Sequence, residues 1–450
     1  MRRLLKVSAA LLFLALAAFF LFYFYPRTPI LTGFAAHSVC SCHFIAGRDQ
    51  KDIEREDNDL DAIKQTTNHI DETAGRVTST IFGLRPRTAV YRKGYGCALV
   101  SLDGQAPVQP EREPPTVSLP DSLPWPYGTD DSSIVLDTAL QRHVWQFFGG
   151  DQKTRAIVIV RDDRIVAEHY APGFDKDTPQ LGWSMTKSIV NALCGILVQN
   201  HQLDIQEPAD VPAWQADDRK QITINHLLQM NSGLEWEEDY AGISDATRML
   251  FEAADVSKIQ AAKPLRYPPG THWNYSSGTT NLLSGLLRKR FDSWQDYLDF
   301  PHRALFNRMG MTTMVMETDA TGNYIASSYS FATPRDWAKF GLLYLHDGVW
   351  RGERLLPAGW VRYTTTPAPG SDGAYGAHFW LNAGGEYPHC PRDMYYCAGF
   401  QGQYVYILPS QNMVIVRMGL KSYPNFDADA LISGAVRLLE RQAEETGAIQ

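Results

Sequence analysis

Ser184-Met185-Thr186-Lys187-Ser188-Ile189-Val190-Asn191-Ala192-Leu193-Cys194-Gly195-Ile196-Leu197-Val198 opens on two chemistry-bearing side chains and continues as an apolar run. On a helix, residues three apart share a face, so Ser184 and Lys187 can meet. A helix apolar on nearly every side belongs inside a protein. Lys187 at the mouth of such a helix is desolvated, which disfavours its ammonium form and lowers its pKa. A neutral amine beside a hydroxyl can take its proton and make it a nucleophile. The stretch therefore predicts a buried helix with an activated serine at its start.

The 450 residues, 44% of them apolar, can bury a large core and hold more than one folding unit. A net charge of −8 with no concentrated basic patch argues against nucleic acid as a partner. At the N-terminus, Arg2, Arg3 and Lys6 precede a run from Val7 to Tyr25 whose single polar residue is Ser8. About 20 apolar residues span a bilayer, and the positive flank predicts an inner-membrane anchor with the remainder periplasmic or otherwise extracytoplasmic. A cleaved signal peptide is the rival, but the run is long for one and no A-x-A site follows. Six cysteines fit an oxidising compartment. Cys390 and Cys397 bracket a short loop and are expected to close it, and Cys97 is expected to pair with Cys40 or Cys42. Cys194 reads as an inert core thiol. No cofactor or metal site is expected, since the twelve histidines are scattered.

Four segments follow in order. Residues 1–26 are the anchor. Residues 27–106 hold an acidic, helix-compatible part from Asp49 to Glu72 and strand-like runs at Thr88–Tyr91 and Cys97–Val100. Residues 107–134 form a linker whose seven prolines between Pro107 and Pro126 forbid helix and favour extended chain. Residues 135–446 are the main domain. It opens with an amphipathic helix near Asp137–Phe148 and a hairpin, Arg155–Val160 and Ile165–Tyr170 about a turn at Asp162-Asp163. Helices and loops follow, among them one at Thr333-Pro334 with a threonine cap and proline in the first turn. The domain ends on two strands, Gln403–Leu408 and Met413–Met418, and a helix from Asp427 to Glu445. Strands at both ends with helices between predict an α+β fold: one antiparallel sheet from the two ends of the domain, with an inserted helical lobe.

Two further stretches carry chemistry. Pro268-Pro269-Gly270 turns the chain toward Tyr275-Ser276-Ser277-Gly278, which opens another apolar helix. A tyrosine at such a junction can project its hydroxyl into a cleft and, near a lysine cation, ionise and shuttle a proton. Gly399-Phe400-Gln401-Gly402-Gln403 leads into a strand, where a glycine admits substrate backbone and the next amide can meet an oxyanion.

Together these stretches resemble the serine β-lactamase and D,D-peptidase superfamily, whose signatures include Ser-x-x-Lys and a Lys-Thr-Gly strand. The likeness is closer to class C β-lactamase-related esterases and 6-aminohexanoate-dimer hydrolases. It rests on Trp183–Ser188, Leu227–Leu234, Tyr275–Gly278 and Asp336–Gly341, and covers roughly residues 135 to 445. The resemblance implies a β-lactamase/transpeptidase-like fold, Ser184 as acylated nucleophile and one oxyanion donor, Lys187 as general base and Tyr275 as proton shuttle. Ser277 would bond Lys187 or substrate, and the Gly402-Gln403 segment would supply the second oxyanion donor from the Gln403 N–H. Phe400-Gln401-Gly402 stands where β-lactamases have Lys-Thr-Gly, so the carboxylate-gripping cation is missing. Ester or small-amide substrates are therefore expected ahead of β-lactams. A binding or sensor protein that does not turn over, and a D,D-peptidase or β-lactamase, are the alternatives.

Overall fold

The structure, a computed structural model, describes residues 2–132, 134–445 and 447. Ser133 of the linker and Thr446 at the end of the main domain lie outside them. Helix α1 (Arg2–Phe19) runs through a π-helical turn at Phe20–Phe24 and a 3-10 turn at Tyr25–Arg27 into α2 (Thr28–Phe44). Pro26 and Pro29 do not break the path, because each falls in the first turn of a new helical piece, where its missing N–H has no partner to lose. The apolar α1 is exposed along its length, whereas α2 is mostly buried.

What buries α2 is a four-stranded antiparallel meander: β1 (Thr66–Asp71), β2 (Arg76–Ile81), β3 (Leu84–Arg92) and β4 (Gly96–Leu99). The expected helical stretch from Asp49 is only Gln50–Glu56, capped by Asp49. Thr66–Asp71 is strand instead, because its β-branched residues pair in register with β2. Cys40 of α2 and Cys97 of β4 form a disulfide. The proline-rich segment forms no helix, folds into turns over 120–130 through Thr129 N–H to Pro120 O (3.2 Å) and Asp130 N–H to Leu123 O (3.1 Å), and is pinned to the main domain by Val108 N–H to Ala320 O (3.0 Å) and Asn307 Nδ2 to Pro115 O (2.9 Å).

The main domain begins with α3 (Thr138–Trp145) and the hairpin β5 (Thr154–Arg161) and β6 (Arg164–Tyr170). Its helical lobe includes α4 (Thr186–Gln199), α5 (Ser277–Arg288) and α6 (Pro334–Leu345). The chain returns as β7 (Tyr395–Gly399), β8 (Gln403–Leu408) and β9 (Met413–Gly419), and closes with α7 (Ala428–Glu445). One six-stranded antiparallel sheet results, ordered Trp380–Leu381, β7, β8, β9, β5, β6. The two ends of the domain do make one sheet, and the fold is α+β.

The two-residue period of the strands explains the layering. Val405, Ile407, Val414 and Val416 enter the core beneath α4 and α6, while Tyr404, Tyr406, Met413 and Ile415 enter a second core under α3 and α7. Both faces are covered, so the strands read as near-continuous apolar runs. Close packing demands Gly341 on α6, where a Cβ would meet Val414 Cγ1 at 2.6 Å.

The same alternation overturns the expected Cys390–Cys397 bridge. Cys397 on β7 faces the α4 side, whereas Cys390 faces α7, with its Sγ 3.4 Å from Asp429 Oδ1. The two thiols lie on opposite sides of the sheet, and both are free.

Candidate active site

Trp183, at φ +47°, turns the chain sharply into a 3-10 turn, Trp183–Met185, that leads into α4. This left-handed conformation is costly for a bulky residue and persists where the surroundings over-determine it. Here Gly182 just before it is wedged between Trp337 and β7. A Cβ on Gly182 would lie 2.5 Å from the Trp337 ring, and one on Gly399 would lie 2.2 Å from Gly182 O. Ser184 is thereby presented at the N-terminal end of a buried helix, where the macrodipole favours negative charge.

Lys187 is 1% exposed. Its Nζ lies 2.9 Å from Ser184 Oγ, 3.0 Å from Ser277 Oγ and 2.8 Å from the carbonyl of Ser327. Burial pushes its pKa down from the ordinary lysine range to about 8, against the pull of nearby Glu238. The hydrogen-bond polarity around it is set by Glu238. Ser277 Oγ donates to Glu238 Oε1 at 2.5 Å, so toward Lys187 it accepts. The Ser327 carbonyl only accepts. A neutral Lys187 thus spends its two N–H bonds on Ser277 and Ser327 and turns its lone pair to the Ser184 hydroxyl.

Tyr275 arrives from the loop before α5, which Ser276 caps through a 3.0 Å bond from Thr279 N–H. Its ring sits beneath the amine, with Lys187 Nζ 4.8 Å from the centroid, and its hydroxyl is turned toward Ser184. Burial, and then Glu238, push its phenol well above the ordinary tyrosine range, with Ser184 opposing. The tyrosinate expected from the sequence is therefore disfavoured at rest: desolvation and a neighbouring carboxylate outweigh the lysine.

The structure brings Ser184, Lys187, Tyr275 and Ser277 together, with Gly402 in the β7–β8 turn and Gln403 paired with Gly399 at the start of β8. Gly399, Gln401 (φ +61°) and Gly402 (φ +86°) make the β7–β8 turn, and Gly402 O accepts from the buried Arg417 at 2.8 Å. Gln403 spends its side chain on Phe400 O (3.1 Å) and Gly419 N–H (3.1 Å). Phe400, at the end of β7, is the turn residue that lines a cavity with Ser184.

Glu238 was not legible in the sequence as a site residue. Its carboxylate accepts from Ser277 N–H (2.8 Å), Tyr240 OH (2.8 Å) and Trp236 Nε1 (2.5 Å) as well as Ser277 Oγ. The clue was an acidic run set between aromatics, Trp236-Glu237-Glu238-Asp239-Tyr240, which ordinarily reads as a solvated loop. Ser327, held by Asn281 through bonds of 3.0 Å on both its N–H and its Oγ, carried no signal of its own. Among the described residues no group of three or more His, Cys, Asp or Glu is placed to hold a metal ion.

Comparison with known proteins gives the family. The beta-lactamase family model matches residues 146–437. The chain belongs to the beta-lactamase family. By family it is a β-lactamase-related serine hydrolase. A 6-aminohexanoate-dimer hydrolase of Paenarthrobacter ureafaciens is 25% identical over 303 residues, 61% of this chain and 74% of that protein. Among solved structures, a Bacillus anthracis protein assigned as a 6-aminohexanoate-dimer hydrolase superposes with TM-score 0.58 at 18% identity, covering 78% of this chain and 94% of that one. A family VIII carboxylesterase superposes with TM-score 0.53 at 15% identity, covering 67% and 96%. These likenesses show the fold.

Proposed function

We propose that this beta-lactamase family member hydrolyses ester or small amide bonds through an acyl-enzyme on Ser184. The observation that carries the reading is the amine of Lys187, buried, lowered to about 8 and 2.9 Å from Ser184 Oγ. Neutral Lys187 takes the proton of Ser184, and Oγ attacks the substrate carbonyl carbon. The N–H of Ser184 and an N–H from the β7–β8 turn, that of Phe400, which lines the cavity with Ser184, or of Gln403, flank the developing oxyanion at the start of α4. Tyr275, protonated at rest, passes a proton to the leaving oxygen or nitrogen and recovers one from the Lys187 ammonium. Water then attacks the acyl carbon by the same relay in reverse and frees the acid. The names of the relatives, an amide hydrolase and a carboxylesterase, support this substrate class. Phe400, in place of a cation, disfavours β-lactam recognition.

The protein is further proposed to be anchored by its first 26 residues with the catalytic domain extracytoplasmic. The exposed apolar helix, its basic flank and the Cys40–Cys97 disulfide, which an oxidising compartment favours, support this placement. The test is turnover of p-nitrophenyl esters and anilides by the full chain. Hydrolysis that Ser184→Ala abolishes supports the enzyme. A single acylation without turnover, seen as a persistent mass adduct, would identify a sensor instead.

A further inference from the structure

The cavity at Ser184 is roofed by the N-terminal helix. It has a volume of about 530 Å³, within the ~300–1,000 Å³ of small-ligand sites. One end is Ser184 with Trp183 and Phe400; Ile30, Leu31 and Phe34 of α2 form the roof; Tyr23 and Phe24 form the far end. The roof lies outside the matched family region, which begins at residue 146. The far end is where the exposed apolar helix stops.

That level carries the marks of a membrane interface. Phe82, 67% exposed at the tip of the β2–β3 turn, reaches Phe24 at 5.9 Å between ring centroids. Arg27 lies over Tyr23 at 3.7 Å and Arg85 over Tyr25 at 4.3 Å. Exposed aromatics beside arginines suit the headgroup region, where amphipathic rings and basic side chains collect. The cavity is thus an apolar passage from the bilayer surface to the nucleophile.

We infer that it takes the acyl chain of a membrane-inserted ester or amide, with the carbonyl at Ser184 and the chain under α2 toward Phe24. This rests on the Ser184 hydrolase reading and names its substrate class. The acyl carbon bonds to Ser184 Oγ as its bond to the leaving oxygen or nitrogen breaks, that atom takes a proton by way of Tyr275, and water releases the fatty acid. Each buried methylene is worth up to about fourfold in binding.

The test uses the full chain in phosphatidylcholine nanodiscs with p-nitrophenyl butyrate, octanoate and palmitate. It adds cis-parinaric acid binding to Ser184→Ala. Octanoate is expected to exceed butyrate at least tenfold in kcat/KM. Leu31→Trp, which narrows the passage, is expected to lower the octanoate-to-butyrate ratio about tenfold. Ala241→Trp, on an exposed loop lining the same cavity, does the same should Leu31→Trp not fold. Hydrolysis with a flat or falling chain-length profile, or a ratio that neither variant moves, overturns the inference and leaves the hydrolase reading intact. No hydrolysis, but parinaric acid binding that the tryptophan variants weaken, supports the cavity and overturns the hydrolase reading. Neither hydrolysis nor binding overturns both.

Discussion

Replacing Glu238 with glutamine is expected to move the pH–activity profile toward acid. Glu238 Oε1 and Lys187 Nζ are linked by hydrogen bonds of 2.5 and 3.0 Å through Ser277 Oγ, and so lie no more than about 5.5 Å apart. At an effective dielectric of ~20, unit charges at that distance attract by about 3 kcal/mol, or roughly two pKa units. The carboxylate holds Lys187 up against its burial, so the neutral side chain of Glu238→Gln lets the amine fall from about 8 by one to two units. Because the neutral amine is the base, wild-type kcat/KM should rise with pH and level off above about 8. The variant should reach its plateau one to two units lower. The assay is kcat/KM for p-nitrophenyl butyrate from pH 5 to 10. A midpoint that stays put or moves upward would refute the assignment of the base.

Tyr275→Phe keeps the ring packed on Trp380 (5.3 Å) and removes only the hydroxyl; kcat should fall about 10²–10⁴-fold with thermal stability little changed. Glu317 is fully buried, and burial raises its pKa to about 8. The folded state therefore binds its proton more tightly than the unfolded chain, and stability is lost as pH rises from about 4.5 to about 8. Glu317→Gln should flatten that slope, leaving the variant more stable than wild type at pH 8 by on the order of a few kcal/mol and little different at pH 5, as denaturant midpoints would report. Removing the Cys40–Cys97 bridge, which spans 57 residues, should lower the unfolding free energy by up to about 4 kcal/mol, measured by chemical denaturation of Cys40→Ser/Cys97→Ser.

The parts of this protein that could be read from sequence are those governed by local pattern. The Ser184–Val198 run declared a buried helix because burial needs apolar residues on every face, and the β5–β6 and β8–β9 hairpins announced themselves by β-rich runs around polar turns. Tyr275 and Ser277 stood out through their capped helix start. What escaped depended on which surfaces meet. Cys390 and Cys397 are close in sequence yet divided by a sheet whose two covered faces leave no polar alternation to reveal sidedness. Glu238 sits in an acidic run that differs from a solvated loop only because Trp236, Tyr240 and Ser277 converge on it. In the sequence the anchor ends at residue 26, and residues 27–106 read as a separate segment. Only the packed structure shows the same helix continuing to roof the nucleophile.

The central claim is that Ser184 is the nucleophile, and covalent capture tests it most directly. Folded full-length protein treated with a fluorophosphonate should gain one adduct mass. Peptide mapping should place the adduct on Ser184, and Ser184→Ala should gain none. Labelling should follow Lys187 deprotonation, rising with pH through about 8. Folded wild type that stays unlabelled, or an adduct that persists in Ser184→Ala, would contradict the assignment.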